Sequence, residues 1–166
     1  QGTQRAVSVP GMRSRLNLAI KKRESFRPFA PSCLEEKTHE YFDFSGRSPY
    51  MLVTAQVKKE LMRMPEGGVP LDVGEASCIE VSTLPAITHI DGSARLHTVG
   101  KGDNPRFRGL LEEFHRQTGC GLVLNTSFNG KDEPIVNTPA DALDCFLSAG
   151  IDDLAIGNYL VSRESR

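Results

Sequence analysis

Three polar runs in this chain carry side chains able to bind or transfer an anionic group. The first is Lys21-Lys22-Arg23-Glu24-Ser25-Phe26-Arg27-Pro28-Phe29-Ala30-Pro31. Arginine offers a planar fork to phosphate oxygens and lysine a compact point charge. Pro28 and Pro31 stiffen the segment that bears Arg27. The second run is Thr88-His89-Ile90-Asp91-Gly92-Ser93-Ala94-Arg95. The third, Asn125-Thr126-Ser127-Phe128-Asn129, leaves a short apolar stretch and enters a glycine-containing turn. Ligands of open α/β sheets sit just beyond the carboxyl ends of buried strands, where this run falls. Each run also has a plainer reading. Lys22 and one of Arg13 or Arg15 suit a solvated helix face. His89 suits a satisfied edge or core histidine, and Asn129-Gly130 is by itself a turn signal. Arg27, Arg95 and Ser127 are harder to dismiss, because each is expected beside a strand end, where an unpaired buried charge is costly. His39, His97 and His115 have no metal-ligand spacing, so no metal site is assigned. The spacing supports an anion or nucleotide site and names no reaction.

The charge distribution points the same way. The formal net charge of −1 divides into +6 over residues 1–31 and −7 over the remainder. A concentrated basic segment suggests a local anionic partner such as phosphate, nucleotide or RNA, and equally a basic helix end offsetting its dipole. The near-neutral total argues against bulk nucleic-acid binding.

The 166 residues, 39% apolar and 25% charged, suit one globular domain with a real core. No apolar run approaches the ~20 residues a bilayer crossing requires, so no membrane association is expected. Residues 1–10 hold no signal-like apolar stretch and read as a flexible lead-in. Cys33, Cys78, Cys120 and Cys145 form no C-x-x-C pair, which argues for reduced, mostly buried thiols and a cytoplasmic location.

The elements that must position these side chains follow from pattern. Residues 12–24 suit a modestly amphipathic helix, with Met12, Leu16 and Ile20 in phase. Residues 26–34 are extended and 48–57 form a strand. Residues 58–82 form a long surface excursion, part of it a hairpin or flap. Residues 84–90 and 93–99 flank Asp91-Gly92 as a two-residue type I′ hairpin. That register would put Thr88, Arg95 and His97 on one face and Ile87, Ala94 and Leu96 on the core face, with His89 at its edge. Asp103 or Asn104 caps a helix opened by Pro105, whose stripe is Phe107, Leu110, Leu111 and Phe114. Residues 121–124 form a buried strand. Thr138-Pro139-Ala140-Asp141 starts a helix that buries Leu143, Phe146 and Leu147 and stops at Gly150. Residues 154–161 form a last strand. The expected class is α/β (α+β), one domain with a mixed sheet flanked by helices.

Several tracts together resemble a known family. KKRESFRPFAPSCL (residues 21–34), SPYMLVT (48–54), LPAITHIDGSARLHTV (84–99), NPRFRGLLEEF, LNTSFN, EPIVNTPADAL and IGNYLV resemble, in order, the C-terminal domain of the nodulation-type O-carbamoyltransferases. The resemblance covers residues 11–163 and implies a YrdC-like domain over residues 11–166, with a twisted mixed sheet. It implies that this domain takes ATP and carbamoyl phosphate and forms carbamoyl-adenylate. In complete enzymes an actin-like domain with bound iron passes the carbamoyl group to an acceptor hydroxyl. No such domain lies within these 166 residues, so the resemblance implies an actin-like partner acting in trans, or a missing one.

By the same resemblance Lys21 and Arg27 bind the carbamoyl-phosphate anion and the ATP phosphates. Arg95 clamps the opposite side, and Ser127 and Asn125 donate to phosphate or carbamoyl oxygens. Arg23 and Asn129 join them as partners in Lys-x-Arg and Ser-x-Asn pairs, and His89 is a further candidate for nucleotide contact. Fixed Lys and Arg donors would stabilise charge developing on non-bridging oxygens, with Mg²⁺ expected on the nucleotide. The alternative is a non-catalytic module of the same fold that binds nucleotide, phosphate or RNA. The sparse aromatics and acidic remainder count against RNA.

Overall fold

In the computed structural model, residues 7–63 and 79–163 are described. The first part of the lead-in, the middle of the expected excursion and Cys78 lie outside them. The described chain resolves into two compact units, one of residues 7–13 and 28–126 and the other of residues 14–27 and 127–163.

The first unit is built on a mixed five-stranded sheet. Its strands are β1 (Ala30–Leu34), β2 (Phe42–Asp43), β3 (Val53–Val57), β4 (Ser93–Val99) and β5 (Leu122–Asn125), in the order β2-β3-β4-β1-β5. β1 is parallel to β4 and antiparallel to β5, while β3 is antiparallel to both β2 and β4. All five residues of β1 are buried, as a strand flanked on both sides requires. The sheet is apolar on both faces. Cys33, Ala55, Val57, Ala94, Leu96 and Leu122 join Ile87 in one cluster, and Leu34, Val99 and Val123 join Leu111 in another. Alternating strand residues thus serve opposite faces. α2 (Thr38–Tyr41) links β1 to β2, and α3 (Pro105–Thr118) covers the Leu34–Val99–Val123 face.

α3 starts and stops as its residues dictate. Asn104 caps it by accepting from the Phe107 N–H, and Gly119 ends it at φ 72°. Of its expected stripe, Leu111 is fully buried and Phe107 and Phe114 half-buried, whereas Leu110 is exposed. Arg108 takes a buried place instead. Its guanidinium donates to Glu36, Glu112 and the Val99 carbonyl.

The expected 84–99 hairpin is not formed. Residues 84–90 pair in no strand, and β4 pairs with β3 and β1. Pro85 removes a ladder donor from the first half. Asp91 Oδ1 accepts from the Ser93 N–H at 2.9 Å and from its hydroxyl at 2.7 Å, and Gly92 alone of the turn pair has positive φ. A type I′ turn needs both. Arg95 consequently faces Thr54, not Thr88, and stands mid-strand instead of at a strand end. The core assignment of Ile87, Ala94 and Leu96 is observed.

The strand expected over residues 48–57 is confined to β3. Ser48 turns the chain off the sheet by donating to the Leu96 carbonyl and accepting from Thr98, and Met51 is left-handed at φ 53°. Near the ends of the excursion, Met62 and Ser82 form an isolated antiparallel bridge; the hairpin or flap expected between them lies outside the described residues.

The second unit holds α4 (Pro139–Ala149) and a hairpin of β6 (Asp153–Ile156) and β7 (Tyr159–Ser162), which divides the single strand expected over residues 154–161 at Gly157-Asn158. α4 opens on a full capping box. Thr138 accepts from the Asp141 N–H, and the Asp141 carboxylate accepts from the Thr138 N–H. Its buried side is Ala142, Cys145, Phe146 and Ala149, one residue round from the expected stripe, so Leu143 and Leu147 are exposed. Thr138→Ala is expected to lower the unfolding free energy by about 1 kcal/mol in urea titrations, with Thr138→Ser close to wild type.

Cys33, Cys120 and Cys145 carry free thiols, and burial pushes Cys33 up to about 12. Among the described residues no helix is long and apolar enough to cross a membrane.

Candidate functional site

The first and third polar runs meet inside the second unit, at the end of a distorted helix. α1 (Met12–Leu16) passes into a π turn, Asn17–Lys21, which Lys22 closes in the left-handed region at φ 47°. The wide turn follows from Asn17, which is fully buried and uses its side chain away from the helix. Asn17 Nδ2 donates to the carbonyls of Ser25 and Arg27, and its Oδ1 accepts from Arg23 Nε at 2.7 Å. One amide thereby folds residues 22–27 back on the helix end and carries Arg23 with them. Such π distortions recur at functional sites.

Lys21, last in the π turn, is 7% exposed. Its ammonium donates to Ser127 O at 2.5 Å, Ser127 Oγ at 3.3 Å, Asn129 O at 3.2 Å and Asn129 Oδ1 at 2.9 Å. The loop after β5 is built around this cation. Ser127 Oγ donates to Asn129 Oδ1, Asn129 Nδ2 to the Glu133 carbonyl, and Gly130 N–H to the Glu133 carboxylate. A Cβ at Gly130 would lie 2.5 Å from Glu133 Oε2, so any larger residue there would displace the Glu133 carboxylate from the Gly130 N–H.

Among the described residues every acceptor around the Lys21 ammonium is a dipole, and no carboxylate ion-pairs with it. Burial, then the neighbouring Arg23 charge, pushes its pKa below the usual lysine value. The ammonium opens on a cleft of about 310 Å³ with five cationic side chains, Lys21, Lys22, Arg23, Arg27 and Lys131, against two acidic ones, Glu24 and Asp132. Arg27 is exposed and paired to Glu24 at 3.0 Å, so its fork is held by a carboxylate that an incoming anion could replace. The donor set suits phosphate oxygens in number and sign.

The second polar run belongs to the first unit. There Arg95 is exposed on β4. His89 Nδ1 lies 3.1 Å from Ser93 Oγ, and burial first, then the Arg95 charge, lowers its pKa against the opposing pull of Asp91. Asn125, at the end of β5, donates to Ser32 Oγ at 2.9 Å. Of the expected residues, Lys21, Arg23, Arg27, Ser127 and Asn129 therefore belong to one unit, and His89, Arg95 and Asn125 to the other.

Two residues escaped the sequence reading. Asn17 organises the basic loop, and an asparagine inside an apolar-phased helix, where it is disfavoured, was the available signal. Glu24, named in the first run only as a member of it, holds the Arg27 guanidinium at 3.0 Å. Among the described residues no cluster of three or more His, Cys, Asp or Glu could hold a metal ion.

The model of the carbamoyltransferase C-terminus family matches residues 5–163. Among curated proteins, the chain is 46% identical over 157 residues to the uncharacterized protein sll1178 of Synechocystis, covering 93% of this chain and 25% of that protein. It is 38% identical over 154 residues to nodulation protein NolO of Bradyrhizobium diazoefficiens, covering 91% of this chain and 25% of that one. It is also 36% identical over 151 residues to 3'-hydroxymethylcephem-O-carbamoyltransferase of Amycolatopsis lactamdurans, again 91% and 25%. The chain spans about a quarter of the length of these relatives.

Proposed function

We propose the following function for this chain, which belongs to the family of carbamoyltransferase C-terminal domains: it binds carbamoyl phosphate and ATP and forms carbamoyl-adenylate, as a YrdC-like domain serving a carbamoyltransferase. The observation that supports this reading is Lys21, a buried ammonium held by neutral oxygens at the floor of a cationic cleft. Burying a cation without a counter-ion is unfavourable unless an anion completes the site.

The reaction balances with one water. Water cleaves the carbamoyl–phosphate bond and releases inorganic phosphate. A carbamate oxygen then attacks the α-phosphorus of ATP, and pyrophosphate leaves. Lys21, Arg23 and Arg27 stabilise the charge on the transferring oxygens, and Ser127 and Asn129, organised by Lys21, orient the anion. Arg95, Asn125 and His89 are proposed as ligand contacts of the first unit. The cleft suits a nucleotide polyphosphate. Mg²⁺ bound to that nucleotide would find carboxylates at Glu24 and Asp132. Transfer to a final acceptor is assigned to an actin-like domain, separate or missing from these 166 residues, of the kind that the remaining three quarters of the relatives' length could supply.

A second reading, a non-catalytic phosphate- or nucleotide-binding module, is favoured by one feature: the Lys21 donors are already occupied by the loop. Binding tests the common ground of both. Arg27→Ala is expected to weaken carbamoyl phosphate and ATP about tenfold in calorimetric titrations, the effect of one charge-assisted contact. Unchanged affinity for both would remove Arg27 from the site. A steep salt dependence with RNA, and no nucleotide binding, would favour an RNA module instead.

A further inference from the structure

Across the α3 side of the sheet, three polar side chains stand in file on neighbouring strands. Asn125 of β5 donates from Nδ2 to Ser32 Oγ of β1 at 2.9 Å, and Ser32 Oγ lies 2.7 Å from His97 Nδ1 of β4. Ser32 is fully buried, and these two groups are the partners of its hydroxyl. The His97 ring lies parallel to Phe107 of α3, with centroids 6.1 Å apart. A hydroxyl has one proton to give. With Oγ receiving the Asn125 N–H, giving that proton to His97 Nδ1 leaves no hydroxyl proton stranded, and this arrangement requires a neutral His97 with its own proton on Nε2. Among the described residues no hydrogen bond reaches Asn125 Oδ1, and the residue lines a cleft of about 470 Å³ with Phe107, Phe114 and Leu124.

We propose that Ser32 and His97 are positioning residues that decide which end of the Asn125 amide meets the ligand, and that neutral His97 selects the oxygen end, which recognises a carbamoyl –NH₂ group. The proposal rests on reading Asn125 as a contact to carbamoyl phosphate. An acyl phosphate of similar shape but without an N–H, such as acetyl phosphate, has nothing to offer Oδ1.

Protonation of His97 reverses the file. Both ring nitrogens then donate, so Ser32 Oγ must accept from Nδ1. Its own proton is left with Asn125, where only Oδ1 accepts. Keeping the amide as it was would strand a buried hydroxyl proton, so the amide turns over and presents Nδ2. Burial holds His97 below its usual 6.5, with Asp103 the one charge among the described residues that acts on it, in the opposite direction. Asp103 is itself engaged by Arg47 and the Gly100 N–H, while Ser32 and Phe107 bring no charge. The reversal therefore lies on the acid side of 6.5.

The test is NMR of the isotope-labelled full chain from about pH 8 to about pH 5, following the His97 ring nitrogens and the Asn125 side-chain amide. The amide is expected to move with the His97 midpoint, to stay fixed in His97→Gln, and to lose its dependence in Ser32→Ala although His97 still titrates. An amide indifferent to His97, or unaltered by Ser32→Ala, would overturn the relay. In parallel, wild type is expected to prefer carbamoyl over acetyl phosphate about tenfold above the midpoint, falling towards parity below it. In His97→Gln the preference should not vary with pH. A coupled amide with no binding of either phosphate would overturn the carbamoyl assignment and the proposed function, while the relay itself would stand.

Discussion

Lys21→Ala is expected to lower the affinity of the chain for carbamoyl phosphate and ATP about 100-fold, the upper range for a charge-assisted contact in a partly desolvated site. Two losses combine. The cationic cleft loses its most buried charge, and Ser127 and Asn129 lose the donor around which their loop is arranged. Lys21→Met separates them by retaining the aliphatic stem. If Met and Ala weaken binding equally while the melting curve shifts little, the ammonium acts through its charge and hydrogen bonds. Calorimetry with each ligand reads the affinity, and thermal unfolding reads the fold. Binding within about threefold of wild type, less than a single hydrogen bond contributes, would contradict the site as drawn.

Arg108→Ala carries the largest expected effect on stability away from the site, a loss of about 2–3 kcal/mol in urea unfolding. The Arg108 side chain is 6% exposed, but Glu36 and Glu112 are half in water, which keeps the figure below that of a fully buried pair. Arg108→Met restores the packing without the charge. A Met variant as stable as wild type would show that the ionic part contributes nothing net. The ion pair also has a pH signature. The hydrogen bond from Arg108 holds Glu36 below its ordinary 4.5. A folded-state pKa below the unfolded one gives stability that is fully present above 4.5 and fades as pH falls through the lowered value. Removing Arg108 should flatten that part of the acid limb.

The legible parts of the fold were those with local causes. Thr138, Pro139 and Asp141 make α4 begin where it does, and Asn104 and Gly119 bound α3. The misread parts had competing causes a few residues apart. Asp91-Gly92 resembles a hairpin turn, but Pro85 weakens one arm and the Asp91 carboxylate captures Ser93. On α4 a shift of one residue exchanged Leu143 and Leu147 for Ala142 and Cys145, because small residues carry little hydrophobic signal. Arg108 could not be read as buried from its type. Its partner Glu36 lies 72 residues away.

In the site, residue chemistry was legible and assembly was not. The basic run and the Ser127–Asn129 run were both identified as anion-binding. Their meeting through Lys21 spans more than 100 residues of sequence, and the amide of Asn17 that folds the basic loop shows no motif. Arg95 and Asn125, expected from two different runs to serve the same ligand as Lys21, each belong to the sheet of the first unit.

The most direct measurement is exchange of labelled pyrophosphate into ATP by the purified chain, with Mg²⁺, in the presence and absence of carbamoyl phosphate. The account predicts exchange that requires carbamoyl phosphate and disappears in Lys21→Ala. Tight nucleotide binding without exchange, even when the rest of a carbamoyltransferase is supplied in trans, would contradict adenylate formation and leave a binding module.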